Sequence, residues 1–399
     1  MGVPWYNEEL LKKNKDANFG RDFQQCSISV MDTIADPYIS FDQNGVCNYY
    51  YEYLNQIKNL ETLKKSSAGN LQEVLAKIKG KRATGKYDCI LGLSGGVDSS
   101  YLAYFAKSVG LNPLLVHFDY GWNSELAVGN IENIVAKLDL DLYTYVMDWN
   151  EFRDLQRSYF QSSVMDLDVP ADHMIFGALY KVADELKIKF ILSGKNVVTE
   201  SVLPKSWNYE KFDLRNLKNI QKRHGSLPLK ELPALGAWQY SVYTSLKNIQ
   251  TIQLLDLVDY NKKNAKEILV QELGWRDYGG KHYESVFTRF YQGYILPYKF
   301  NIDKRKAHLS NLIFSGQLTK AGATSELGEE MYSPALMQQD KEFVAKKLGF
   351  SDSEFSAILD QQNVSHSAYG SDKGLREMIS WAVDHFKPAF QVVKKIIHR

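Results

Sequence analysis

Ser94-Gly95-Gly96-Val97-Asp98-Ser99-Ser100 follows the apolar run Tyr87-Asp88-Cys89-Ile90-Leu91-Gly92-Leu93 and precedes an amphipathic stretch from Tyr101 to Val109. That order reads as strand, glycine turn, helix. Two adjacent glycines let the backbone turn sharply and approach an anion with no Cβ in the way. Ser94, Ser99 and Ser100 add hydroxyl donors, and the amides that open a helix point at whatever sits above the turn. Such a cradle suits a chain of phosphates. No Gly-Lys-Ser/Thr follows, so it is not a Walker loop. The bland alternative is a capped glycine turn. A strand before it and a helix after it favour the nucleotide.

Outward from this turn the chain alternates. Strands are expected at 87–93, 113–118, 142–147 and 189–193, separated by helices at 97–109, 124–138, 150–162 and 172–187. Continuous apolar strands between helices indicate an α/β fold, a parallel sheet with helices on both faces. Ligands of such sheets sit beyond the carboxyl ends of the strands. That gathers Ser94–Ser100, Asp119–Trp122, Asp148 and Ser193–Glu200 around one crevice. The first two dozen residues read as a polar arm, 26–50 as a turn-rich segment, and 52–80 as connecting helices. A further β-prone run spans 251–258. Residues 275–300 are dense in glycine, aromatics and charge, and the remainder to Arg399 reads as helical. The expected division is 1–80, 81–260 and 261–399.

The chain has 399 residues, 44% apolar and 24% charged, as in ordinary globular proteins. No stretch approaches a membrane span, and Met1-Gly2-Val3-Pro4-Trp5 lacks the basic-then-apolar plan of a signal peptide, so none is expected. Three cysteines, Cys26, Cys47 and Cys89, do not make a disulfide framework, so a cytoplasmic protein is expected. Basic and acidic residues number 48 and 47. A protein that grips nucleic acid usually shows a basic excess, so no nucleic acid is expected.

Three segments carry candidate chemistry. His117-Phe118-Asp119-Tyr120-Gly121 ends the second strand, where adenine or ribose would be bracketed; an Asp-X-Gly turn beside a buried His117 is an equal alternative. Ser193-Gly194-Lys195-Asn196-Val197-Val198-Thr199-Glu200 ends the fourth. Gly194 permits close approach, and Asn196, Thr199 and Glu200 offer the oxygens Mg²⁺ takes beside triphosphate. Helix capping by Asn196 or Thr199 is the competing reading. The third is Gly279-Gly280-Lys281-His282-Tyr283-Glu284 with Arg289, then Lys304 and Arg305; these could bind anionic substrate groups.

Together these motifs resemble the N-acetyl sugar amidotransferases, which make acetamidino sugars for lipopolysaccharide O-antigen and for flagellar nonulosonic acids. That family lies within the N-type ATP pyrophosphatases, the PP-loop, adenine nucleotide α-hydrolase-like fold. Val30-Met31-Asp32-Thr33 and Phe41–Asn48 add an N-terminal signature, and the likeness spans roughly residues 26 to 320. The resemblance implies that an acetamido group on a UDP-linked sugar becomes an acetamidine, with ATP and Mg²⁺ giving AMP and pyrophosphate. It implies that Ser94, Gly95, Gly96, Val97, Ser99 and Ser100 hold pyrophosphate, that Asp98 and Glu200 organise Mg²⁺, and that His117, Phe118, Asp119, Gly121, Ser193, Gly194, Asn196 and Thr199 line the nucleotide site. Lys281 and His282, with Tyr283, Glu284, Arg289, Lys304 and Arg305, fall on the substrate side.

Family members usually carry two Cys-x-x-Cys pairs that bind zinc. Here they read Cys26-x-x-Ser29 and Cys47-x-x-Tyr50, a degenerate ribbon for which zinc is not expected. None of the three cysteines suits a glutaminase, which needs a nucleophilic thiol beside a base. The resemblance therefore implies a separate glutaminase subunit and a cyclase-like barrel subunit that deliver ammonia. The competing readings are a tRNA-modifying PP-loop enzyme and a non-catalytic scaffold.

Overall fold

Side chains alternate across an extended strand, and the first strand uses both faces. In β1 (Cys89–Gly92), Ile90 enters one apolar core while Cys89 and Leu91 enter another. In β2 (Pro113–Asp119), Leu114, Val116 and Phe118 join the first and Leu115 the second. A strand buried on both sides needs helices on both, which favours parallel pairing. The structure, a computed structural model, describes residues 21–66, 70–80, 85–279, 284–379 and 381.

The sheet has five parallel strands in the order β3-β2-β1-β4-β5, with β3 at Leu142–Val146, β4 at Phe190–Leu192 and β5 at Gln250–Ile252. Leu91 pairs with Leu115 on one side and Leu192 on the other. The four expected strands are present. The run at 251–258 gives β5 and then a tight helical turn at Leu254–Leu257. β3 departs from full burial: at this edge Tyr143 and Val146 are exposed.

Helices α1 (Asn48–Lys64) and α2 (Leu71–Gly80) precede the sheet. Its crossovers are α3 (Val97–Ser108), α4 (Glu125–Leu138), then α5 (Trp149–Ser162) and α6 (Val169–Glu185). Ser124 caps α4 by accepting from the Ala127 amide at 3.2 Å, and Asp148 caps α5 through the Glu151 amide at 2.9 Å. Asp148 is thus occupied as a cap. After β3 the chain crosses to the far side of β1 to make β4. The turns leaving β1 and β4 therefore flank a topological switch point, where open parallel sheets bind ligands.

Helices α7 (Leu214–His224) and α8 (Lys262–Leu273) follow, and the region after 284 is helical as expected. α9 (Val286–Phe290) runs through a wide π turn, Tyr291–Ile295, into Leu296–Phe300. Pro297 has no N–H to give to the preceding turn, and the wider winding absorbs that loss. Then come α10 (Lys304–Phe314), α11 (Lys320–Gly328), α12 (Pro334–Leu348) and α13 (Asp352–Asp360). Phe287, Phe290 and Phe355 share a core with Ile90, Val116, Met31 and Cys47. One sheet face is therefore closed jointly by the N-terminal segment and the C-terminal helices.

Candidate functional site

Gly95 has φ +82°, and a Cβ there would lie 2.9 Å from the Ala127 carbonyl oxygen, so the turn requires glycine. Gly96 precedes the first turn of α3, whose amides open toward the turn. Ser94 and Ser99 hydroxyls lie 3.2 Å apart, and each bonds loop backbone at 3.2–3.3 Å. The Ser100 hydroxyl is buried and has no hydrogen-bond partner among the described residues. From above, Trp275 Nε1 donates to the Gly95 carbonyl at 2.8 Å. Asn130 fixes that segment by exchanging two 2.8 Å bonds with the Arg276 backbone. The amides, hydroxyls and lack of side-chain bulk fit a phosphate chain.

Two carboxylates converge beside this turn. Tyr260 donates its hydroxyl to Asp98 Oδ1 at 2.5 Å. Burial, then Asp98, and more weakly Glu200, push the Tyr260 phenol well above its usual range. One hydroxyl thus feels both acids, one from the β1 turn and one from the β4 turn. A Cβ on Gly194 would come 3.2 Å from the Ser99 amide, so the two turns are in close approach. Asp98 and Glu200 fit a small oxygen-seeking dication that also takes phosphate and water.

The strand-tip residues divide between cavity and scaffold. His117 and Phe118 line the cavity described below. His117 Nδ1 donates to the Leu93 carbonyl at 3.1 Å, and its Nε2 accepts from Asn123 Nδ2 at 3.1 Å. Burial lowers its pKa, so the ring is neutral and ties β2 to β1. Asp119 accepts from the Gly121 amide at 3.0 Å, which makes the Asp-X-Gly turn. After β4, Asn196 Oδ1 accepts from the Thr199 amide at 2.9 Å and its hydroxyl at 3.1 Å. The capping reading is realised there; Ser193, Gly194, Thr199 and Glu200 still line the cavity.

That cavity measures about 1280 Å³ and begins at Ser94. Its charged lining also includes Asp168, Asp172, Lys211, Glu284, Lys304, Arg305 and His308. Lys211 pairs with Asp166 at 2.8 Å and with Asp172 at 3.0 Å. Burial opposes its charge, but Asp172, Asp166 and Asp168 outweigh that and raise its pKa. Asp168 faces Lys304 at 3.9 Å, and burial pushes its carboxyl up to about 6. Asp168, Asp172 and Lys211 escape a sequence reading. Asp168 before Val169-Pro170 looks like an ordinary helix cap, and Lys211 lies in an unpatterned loop.

Lys281, His282 and Tyr283, with Gly280, lie outside the described residues. Glu284 and Lys304 border the cavity as expected. Arg305 also reaches it, but its guanidinium is held by Asp303 at 2.9 Å and by carbonyls of Glu329 and Leu327. Arg289 is not on the lining; it makes a two-pronged bond to Asp340 at 2.7 and 2.9 Å and anchors α12 to α9.

At the N-terminal ribbon, Cys26 Sγ accepts from the Cys47 amide at 3.3 Å and from the Ser29 amide at 3.4 Å, and Ser29 Oγ lies 3.9 Å from Cys47 Sγ. The hydrogen bond from the Cys47 thiol leads in lowering Cys26 to about 4, and Cys47 is raised in turn. The Tyr50 ring packs on Phe314, 5.3 Å between centroids. Two thiols, a hydroxyl and a packed phenol do not fit a tetrahedral zinc ion. Among the described residues, no group of three His, Cys, Asp or Glu is placed to hold a metal. No described helix is long and apolar enough to cross a membrane.

Comparisons with known proteins match two separate stretches of the chain. Residues 88–193 match the family model for queuosine biosynthesis protein QueC, and residues 284–383 match that for the C-terminal domain of WbpG-like LPS biosynthesis proteins. An uncharacterized protein of Methanocaldococcus jannaschii is 24% identical over 315 residues, 76% of this chain and 92% of that one. The tRNA-specific 2-thiouridylase MnmA of Clostridioides difficile is 24% identical over 242 residues, 53% of this chain and 63% of that one. Among solved structures, an NH3-dependent NAD synthetase from Campylobacter jejuni shares 14% identity, covering 56% of this chain and 93% of that one with a TM-score of 0.27. An NMN synthetase from Francisella tularensis gives 14%, 57%, 92% and 0.27. With the glycine turn at the switch point and the two matched segments facing one cavity, the chain belongs to the PP-loop superfamily and carries the C-terminal domain of the WbpG-like, lipopolysaccharide-related family.

Proposed function

We propose that this protein is an AMP-forming amidoligase that converts the acetamido group of a UDP-linked N-acetyl sugar to an acetamidino group. The carrying observation is that the PP-loop turn and the wall built partly by the WbpG-like segment border one cavity. Its volume accommodates a substrate beside ATP, since drug-sized ligands fill roughly 300–1,000 Å³.

An amide oxygen is a poor leaving group, so ammonia cannot displace it directly. Attack of that oxygen on the α phosphorus expels pyrophosphate and gives an O-adenylyl imidate. Ammonia then adds to the imidate carbon and AMP departs. The amides of the β1 turn and the Ser94 and Ser99 hydroxyls hold the departing pyrophosphate, with charge stabilisation at fixed donors supplying the rate. Asp98 and Glu200 would hold Mg²⁺, which neutralises phosphate charge when bound. All three cysteines are buried, which supports ammonia supplied by a separate glutaminase through a barrel subunit.

The similarity to a tRNA thiouridylase favours a second reading, adenylation of a tRNA base. The near-neutral charge balance and the buried thiols count against it. Incubation with ATP, Mg²⁺, ammonium and a panel of UDP-diacetamido sugars, read by mass spectrometry, should yield a sugar with its amide oxygen replaced by NH. AMP release on tRNA and on none of the sugars would refute the proposal.

A further inference from the structure

Asp168 occupies the N-cap of α6, yet its side chain makes no capping bond. The reason is local: Pro170 removes one of the amides a cap would use. Its carboxylate turns instead to the cavity that also opens on Ser94. Among the described residues, no hydrogen bond reaches those oxygens, and the only cation paired with it is Lys304 at 3.9 Å. Lys304 in turn lies over the Tyr291 ring, 5.6 Å from its centroid.

The other carboxylates on the lining are otherwise disposed. Asp172 is paired with Lys211 at 3.0 Å. Glu200 acts with Asp98 on the Tyr260 hydroxyl, and Glu284 lies against Gly96. Glu326, Glu329 and Glu330 are exposed at the rim. Asp168 combines shelter from water, access to the cavity and, among the described residues, oxygens that accept no hydrogen bond.

We infer that Asp168 is the general base of the ammonia-dependent half-reaction, an assignment that rests on the proposed amidoligase function. Ammonia adds to the imidate carbon, and its nitrogen becomes a four-coordinate cation. Asp168 takes one proton from that nitrogen. The lone pair so freed forms the new C–N double bond as the C–O bond to AMP breaks, leaving amidine, AMP and protonated Asp168. A base poised near the working pH suits this step. The burial that raises Asp168 to about 6 provides it, with Asp172 and Asp166 reinforcing and Lys304 and Lys211 opposing. The Tyr120 and Tyr291 hydroxyls also face it and stay protonated, because burial raises both phenols.

The test separates two half-reactions of the full-length protein. Sugar-dependent exchange of labelled pyrophosphate into ATP reports adenylation; amidine formation with ammonium chloride reports the whole sequence. D168N should lose amidine formation about 100-fold more than exchange, the contribution expected of a general base. Expressed against free ammonia, the wild-type amidine rate should fall as pH drops through about 6, and D168N should lack that limb. Exchange also shows that the variant is folded. Parallel losses in the two assays, or an unchanged acid limb, would overturn the role of Asp168 and leave the amidoligase reading standing. Wild-type protein without sugar-dependent exchange would overturn both.

Discussion

The turns after β1 and β2 use the same backbone device for different ends. Gly95 and Gly121 have φ of +82° and +83°, and a Cβ at either would meet an atom 2.9 Å away. At the first turn the Ser94 and Ser99 hydroxyls bond one another and the loop, and Ser94 borders the cavity. At the second, Lys347 from α12 donates to the Gly121 carbonyl. Its ammonium lies over the Trp122 and Trp149 rings at 5.0 and 5.1 Å. One turn leaves donors for a ligand; the other is filled by the protein itself. A positive-φ glycine marks a tight turn, and only what occupies the space above it distinguishes binding from packing.

The largest expected effects break that symmetry. Asp98→Asn and Ser99→Ala should each reduce turnover by about 100-fold or more, the usual cost of removing one transition-state donor or metal ligand, with thermal stability little changed. Tyr260→Phe removes the hydrogen bond that orients Asp98. It should raise the Mg²⁺ concentration needed for half-maximal rate about tenfold, as loss of an orienting neighbour does. Gly95→Ala and Gly121→Ala should each destabilise by about 2 kcal/mol from backbone strain, measured by urea unfolding. Only Gly95→Ala should also lose activity at temperatures where both variants remain folded. Lys347→Ala should cost about 1 kcal/mol through its lost hydrogen bond and ring contacts, with turnover changed only a few-fold.

The last expected effect is one of pH. His366 stacks on Tyr209 at 4.0 Å, and its Nε2 accepts from the Asp166 amide. Burial lowers its pKa to about 4, below the unfolded value near 6.5. The unfolded chain then binds more protons in that window, so this contribution is present above 6.5 and is lost as pH falls toward 4. Melting temperatures of wild type and His366→Gln should converge on acidification across that range.

Much of the sheet and of the β1 turn was legible because both depend on local pattern. Apolar runs, Gly95 and the spacing of Ser94, Ser99 and Asp98 report themselves in a linear reading. Elements that depend on distant chain were not. Trp275 and Tyr260 reach the loop from 160 to 180 positions away, as their bonds to Gly95 and Asp98 show. Asp168 has no local signal to set it apart from a helix cap; only Pro170 and the cavity together do so. Asn196 and Thr199 illustrate the converse: their polarity suggested a ligand, and the short helix at Val197–Glu200 uses Asn196 as its cap.

The route of one oxygen tests the reaction assigned to the β1 turn most directly. A UDP-linked acetamido sugar carrying heavy oxygen in its amide carbonyl would be turned over with ATP, Mg²⁺ and ammonium, and the phosphorus products analysed. Attack on the α phosphorus places the label in AMP, with pyrophosphate unlabelled. Label in orthophosphate, accompanied by ADP, would show that the terminal phosphoryl is transferred and would contradict the account.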